Sequence, residues 1–202
     1  MREKIRNIIY DWCLTRGEQV LALEEFLADK GYYEAPAAAK NHNNFEGGLA
    51  LHSWNVYKTA IAIKHSICNG LSGESVVICS LFHDAHKVCD VWGNKTYLPN
   101  VLKSGETSEK KPYVVNKEKV ASLPAYMSGL IVMRFVELAD DEYQAIIGHD
   151  GQYVVENRAL VHKEEPLTLI LHWADMWSAS QIERADSGFH KLQTEVRHGK
   201  RT

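Results

Sequence analysis

Ser72-Gly73-Glu74-Ser75-Val76-Val77-Ile78-Cys79-Ser80-Leu81-Phe82-His83-Asp84 is the stretch that decides the fold. Ser72 suits a helix N-cap, and Glu74 falls in the first turn, where a carboxylate complements the unpaired amides. From Val76 to Phe82 there is no polar face, and a helix apolar all round is a buried one. The spacing predicts a central helix over about 73–88 that delivers His83 and Asp84 to the interior. Burying an ionised carboxylate without a partner is costly, so Asp84 needs compensating positive charge.

Outward from this helix, the apolar spacing is again helical. Residues 2–15 and 18–30 read as two helices divided by Arg16-Gly17, the second with a stripe of Val20, Leu21, Leu23, Phe26 and Leu27. Asn41-His42-Asn43-Asn44 and Gly47-Gly48 mark a loop. Leu49, His52, Val56, Ile63 and Ile67 then define a long helix over 48–68. On the other side, strand-like stretches at 95–102 and 112–115 flank Ser104-Gly105-Glu106-Thr107-Ser108 and predict a β-hairpin among the helices. Helices resume at 124–138, 141–149 and 166–184, the last with Pro166 at a favoured first-turn position. The expected fold is mainly all-α, a helical bundle with a small hairpin insertion around 95–115. No repeat or low-complexity linker divides it, so residues 1–185 read as one domain, followed by a polar, flexible tail over 186–202.

Twenty-three Lys and Arg against 26 Asp and Glu give a net charge of −3, which argues against a dedicated duplex nucleic-acid binder. A small phosphorylated substrate needs only a local positive site. Met1-Arg2-Glu3-Lys4-Ile5 lacks the apolar stretch of a signal peptide, and the longest apolar runs, at 76–82 and 129–136, are too short to span a bilayer. Cys13, Cys68, Cys79 and Cys89 show no close metal-binding spacing and read as reduced thiols. A cytoplasmic protein without membrane partners is expected; self-association stays open.

Asp175 repeats the problem posed by Asp84, because it shares a helical stripe with Leu167, Leu171, Ser178 and Ile182. His52 likewise shares the stripe of Leu49, Val56 and Ile63. Taken singly, each is more readily a core polar residue satisfied by backbone or an ion pair. Together they place two imidazoles and two carboxylates inward from three helices, and one divalent cation would resolve all of them. The metal-ligand set is therefore His52, His83, Asp84 and Asp175.

His52, the His83-Asp84 doublet and Asp175, in that order, resemble the H…HD…D signature of the HD superfamily. The local words agree. Phe45-Glu46-Gly47-Gly48-Leu49-Ala50-Leu51-His52 is similar to the "GGLxxH" entry of HD domains in bacterial 3′–5′ exoribonucleases and solitary bacterial or phage HD proteins. Leu81-Phe82-His83-Asp84-Ala85-His86-Lys87 resembles "LxHDxxK", and His172-Trp173-Ala174-Asp175-Met176-Trp177-Ser178-Ala179 resembles "ADxxSA". The similarity covers residues 42–185. It implies a helical bundle with the metal between helices and a metal-dependent phosphohydrolase acting on a nucleotide or related phosphate ester through a metal-activated water. The native ion (Mn, Zn, Mg, Fe, Co or Ni) is left open.

Lys87, three residues after Asp84 and four after His83, lies on the same helical face and is the first candidate for a phosphate contact. Its bland reading is a solvated lysine at a helix end. By position His149 resembles the fourth histidine of binuclear HD proteins. The preceding histidine of that order falls where this chain has Leu123-Pro124-Ala125-Tyr126-Met127-Ser128, and Pro124 cannot ligate a metal. One tight ion is thus expected, with His149 contacting phosphate or protonating the leaving group. His86 replaces a usually small residue and is a second candidate for substrate contact. His65 lies about 140° round the helix from His52 and should not share the site. His42, His162, His172, His190 and His198 read as surface or local-packing residues, while Trp92, Lys95, Arg134 and Tyr153 are candidates for the pocket border. The alternatives to hydrolysis are a non-catalytic HD module binding a nucleotide or protein partner and, disfavoured by Pro124, a diiron oxygenase.

Overall fold

The computed structural model describes residues 1–39, 43–185 and 187–190; His42, His198 and most of the expected tail lie outside them. Helix α1 (Arg2–Trp12) and α2 (Gly17–Lys30) form an N-terminal pair, and α3 (Gly48–Ile67) and α4 (Gly73–Phe82) form the centre. Strands β1 (Tyr97–Pro99) and β2 (Tyr113–Val115) then make an antiparallel hairpin, and α5 (Pro124–Met133), α6 (Asp140–Gly148) and α7 (Pro166–Trp177) complete the bundle. The chain is mainly helical with one small hairpin, as its apolar spacing requires.

Helix α4 is the axis of the core. Ser72 Oγ accepts the Ser75 amide at 3.2 Å and starts it, and every residue from Ser75 to Phe82 is buried. It packs against α1, α3, α6 and α7 at once, which accounts for its lack of a polar face. Each of its large aliphatic side chains contributes roughly 1.5–3 kcal/mol on burial.

The helix ends earlier than the expected boundary at 88. The His83 amide closes the last turn on the Cys79 carbonyl at 2.9 Å, Asp84 leaves the helix at φ −102°, ψ 22°, and Ala85–Lys87 form a separate 3₁₀ turn. The break lies at the charged pair, where the backbone turns to follow the carboxylate. Lys87 is therefore not on the face of one continuous α-helix, although the tighter turn still brings it to Asp84.

Other boundaries move for similar reasons. Helix α1 stops at Trp12, not 15, because the Thr15 and Arg16 amides turn to donate to Glu74 Oε1 at 3.2 and 2.8 Å. The Arg16 guanidinium forks onto both oxygens of Glu142 at 2.6 Å, tying this turn to α6. Burial opposes ionisation of Glu142, but Arg16 outweighs it and holds the carboxyl below its ordinary range. Helix α5 ends at Met133, not 138, where Arg134 instead lies over the rings of Phe26 and Phe135. The strands are shorter than expected. β1 ends at Pro99, which has no amide of its own to donate, and beyond it the Asn100 amide on the Pro112 carbonyl at 2.8 Å and a Val101–Thr107 bridge carry the pairing on irregularly. Helix α7 stops at Trp177 and passes into a π-helical turn, Ser178–Ile182, where 166–184 was expected as one helix. All four cysteines are free, Cys13, Cys79 and Cys89 buried and Cys68 half-buried. No described helix is long and apolar enough to cross a membrane.

Candidate metal centre

Three buried imidazoles converge on two carboxylates at the ends of α3, α4, α6 and α7. His52 Nε2 lies 3.1 Å from Asp175 Oδ1 and 3.5 Å from Asp84 Oδ2. His83 Nε2 lies 3.4 Å from Asp84 Oδ2 and 4.0 Å from Asp175 Oδ1. His149 Nε2 approaches Asp84 from the other side, 3.8 Å from Oδ1, and its ring stands 4.8 Å from that of His83. All four expected ligands are thus together, with His149 as a fifth donor. His52, His83 and Asp84 form one potential ligand triad, and His83, His149 and Asp175 another.

The outer nitrogen of each ring is fixed. His83 Nδ1–H donates to the Ser80 carbonyl at 3.0 Å, and His149 Nδ1–H donates to the Ile146 carbonyl at 2.7 Å. In each case the acceptor is three residues back, at a helix end with spare carbonyls. His52 Nδ1–H donates to the Glu183 carboxylate at 3.0 and 3.2 Å. In the neutral rings these bonds leave Nε2 as the lone-pair atom facing the cluster, the arrangement in which an outer partner orients a metal-ligating histidine. His83 Nε2 is buried with no hydrogen-bond partner, which suits an atom that ligates a cation. Donors held about 2.0–2.2 Å from one ion stand roughly 3–3.6 Å apart, close to the separations seen. The residues therefore fit a divalent ion with nitrogen and oxygen ligands.

The electrostatics favour positive charge at this point. Burial lowers the His52 pKa, but hydrogen bonds to Asp175 and Glu183 outweigh it and raise the value to about 9. Burial opposes the charge of Asp84, yet the Lys87 ammonium and the imidazoles of His83 and His86 hold its carboxyl well below the usual range. Asp175 is depressed as well, its burial outweighed by His52 and His83.

Lys87 is not a solvated helix-end lysine. Its Nζ sits 2.6 Å from Asp84 Oδ2 with the side chain 17% exposed. Burial disfavours its charge, but Asp84 outweighs that and raises the pKa. His86 Nδ1 is 3.7 Å from Asp84 Oδ1 and 3.0 Å from Ser128 Oγ, which also accepts the His86 amide at 3.1 Å. Burial lowers the His86 pKa to about 3, against the opposing pull of Asp84. Ser128, one turn inside α5, is this helix's contribution to the site; Pro124 occupies its first turn.

Several residues of the site are illegible locally. Glu183 comes from the π-helical end of α7 and also accepts from Asn55 Nδ2 at 3.1 Å. The only sequence hint was its position one residue after Ile182 on the α7 stripe. His172, expected to pack locally, donates from Nδ1 to the His149 carbonyl at 2.7 Å and so braces the residue that carries the third imidazole. His65 lies near Trp12, away from the site, and His190 Nε2 bonds the Ile182 carbonyl at 2.8 Å. Of the border candidates, Lys95 shares a cavity with Lys87. Trp92 is 77% and Tyr153 85% exposed, and Tyr153 faces a different cavity. Arg134 caps Phe26 and the Val91 carbonyl instead. No family model, curated protein or solved structure matches the chain.

Proposed function

We propose that the cluster holds one divalent cation and that the chain is an HD-type hydrolase of a phosphate ester or anhydride, with a nucleotide as substrate class. The observation that carries this reading is the common orientation of three imidazoles, each with its outer nitrogen tied down and its Nε2 turned toward Asp84 or Asp175. His52, His83, Asp84 and Asp175 hold the ion, and His149 stands beside it. A divalent ion held by these residues would supply Lewis acidity toward a phosphoryl oxygen and would lower the pKa of a bound water. Lys87 orients the phosphate and offsets its charge, and His149, in its imidazolium form with Nε2–H toward the cluster, passes that proton to the leaving oxygen and recovers one from the attacking water. One ion is favoured over two because, of the two ring nitrogens that face Asp84 Oδ1, His86 Nδ1 is already engaged by Ser128, which leaves only His149 Nε2 on that side.

A second reading has one observation in its favour. Lys87 already supplies Asp84 Oδ2 with a cation at 2.6 Å, so the cluster is also a plausible ion-pair network in a module that binds without turnover. A panel of nucleoside mono-, di- and triphosphates and cyclic dinucleotides, assayed with manganese and then with chelator, separates the two. Release of phosphate or nucleotide that requires the metal is the expected result. No turnover of any member by metal-loaded, folded protein would remove the hydrolase reading.

A further inference from the structure

The hairpin is built onto the turn that carries Lys87. The Thr96 amide donates to the Val88 carbonyl at 3.0 Å, Thr96 Oγ1 donates to the His86 carbonyl at 2.5 Å, and Cys89 bridges to Lys95. The Asn116 amide in turn donates to the Thr96 carbonyl at 2.8 Å, holding the second strand to the first. This stitching fixes β1 and β2 relative to Asp84, two residues before His86.

Between the hairpin and the α2–α3 connection lies a cavity of about 220 Å³ whose wall includes Lys87, Tyr97 and Tyr113. In the strand register Tyr97 pairs with Val115 and Pro99 with Tyr113. Side chains alternate across a strand, so the two tyrosines share one face of the hairpin as diagonal neighbours. Lys30 and Lys95 also line the space, beside Glu34 and Glu46, while Lys87 is paired with Asp84. Gly31 takes φ +99°, a backbone conformation that suits glycine, and Lys95 Nζ lies beside it.

We infer that this cavity binds the aromatic ring of the substrate whose phosphate meets Lys87, with Tyr97 and Tyr113 as the ring platform. The inference rests on the phosphohydrolase reading and adds the class of substrate, a phosphate ester whose leaving alcohol carries one heteroaromatic ring, such as a nucleoside monophosphate. Size limits the class. A pocket for a whole drug-sized ligand measures roughly 300–1,000 Å³, so this one takes a single ring system with part of its sugar and not a dinucleotide. A larger cavity of about 420 Å³, beside His172 and Tyr153, has Glu164 and no lysine or arginine in its wall. It is electrostatically wrong for a phosphate, and none of His52, His83, Asp84, Lys87 and Asp175 lines it.

The test compares turnover of nucleoside 5′-monophosphates with that of β-glycerophosphate, which has a phosphate and no ring. Loss of one stacking platform costs about 1–3 kcal/mol, so in Tyr97→Leu/Tyr113→Leu the ratio of kcat/KM for nucleotide over β-glycerophosphate should fall about tenfold or more. Tyr97→Phe/Tyr113→Phe should restore the ratio, and Tyr153→Leu, at the other cavity, should leave it unchanged. Equal losses on both substrates, or a fall in the ratio with Tyr153→Leu instead, would overturn the assignment. Calorimetric binding of nucleoside monophosphate to the same proteins separates this failure from that of the hydrolase reading. Tyr97- and Tyr113-dependent binding without turnover keeps the pocket and removes the hydrolase, whereas binding indifferent to both tyrosines removes the pocket.

Discussion

Asp84→Ala is expected to lower divalent-ion affinity by at least about a hundredfold and to remove hydrolysis with it. Loss of a residue that only orients a ligand already costs about 10–100-fold in affinity, and Asp84 is more than that. Its Oδ2 faces His52 and His83 and its Oδ1 faces His149, so its two oxygens address both halves of the donor set. The helical content should persist. The residue has already left α4, and the buried surface of that helix from Val76 to Phe82 is untouched. Asp84→Asn, which keeps the shape, guards against a packing explanation. Metal content after dialysis, read beside the far-ultraviolet circular dichroism, checks the prediction. Full occupancy in folded Asp84→Ala would remove the ligand assignment.

Lys87→Ala should show the opposite split, retaining the ion and losing turnover. In the absence of substrate Lys87 pairs with Asp84 at 2.6 Å, and it also lines the hairpin cavity, so its ammonium stands where ion and phosphate would meet. A charge-assisted hydrogen bond to phosphate is worth roughly 1.5–3 kcal/mol, which corresponds to about a ten- to hundredfold fall in kcat/KM. Lys87→Arg should recover only part of this, because a planar fork replaces a compact ammonium. Steady-state kinetics on metal-loaded variants gives the answer. Unchanged turnover in Lys87→Ala would reduce Lys87 to the structural partner of Asp84.

Much of this arrangement is legible in the chain because burial writes itself into periodicity. The apolar run at 76–82 demanded a central buried helix, and His52 and Asp175 sat on stripes that pack inward, so their convergence followed from helix geometry. The ends of elements did not follow, since they are decided by distant partners. Helix α1 yields to Glu74, and α4 breaks at Asp84, where a carboxylate turns toward imidazoles from other helices. Glu183 looks like an ordinary charged residue near a helix end, and only the packing of α3 beside the π-helical turn sets it against His52. The bond from His86 to Ser128 spans 42 residues, which no local pattern encodes. Lys87 combined both cases: its nearness to Asp84 was readable from spacing, its buried pairing was not.

The claim on which the rest depends is that this buried cluster is a cation site and not a self-sufficient ion-pair network. Elemental analysis of wild-type protein, loaded with divalent metal and then dialysed exhaustively, measures it directly. One tightly held divalent ion per chain, lost on chelation while the helices persist, is the predicted result. A folded protein that retains no ion would contradict it and leave His52, Lys87, Asp84, Asp175 and Glu183 as a structural network.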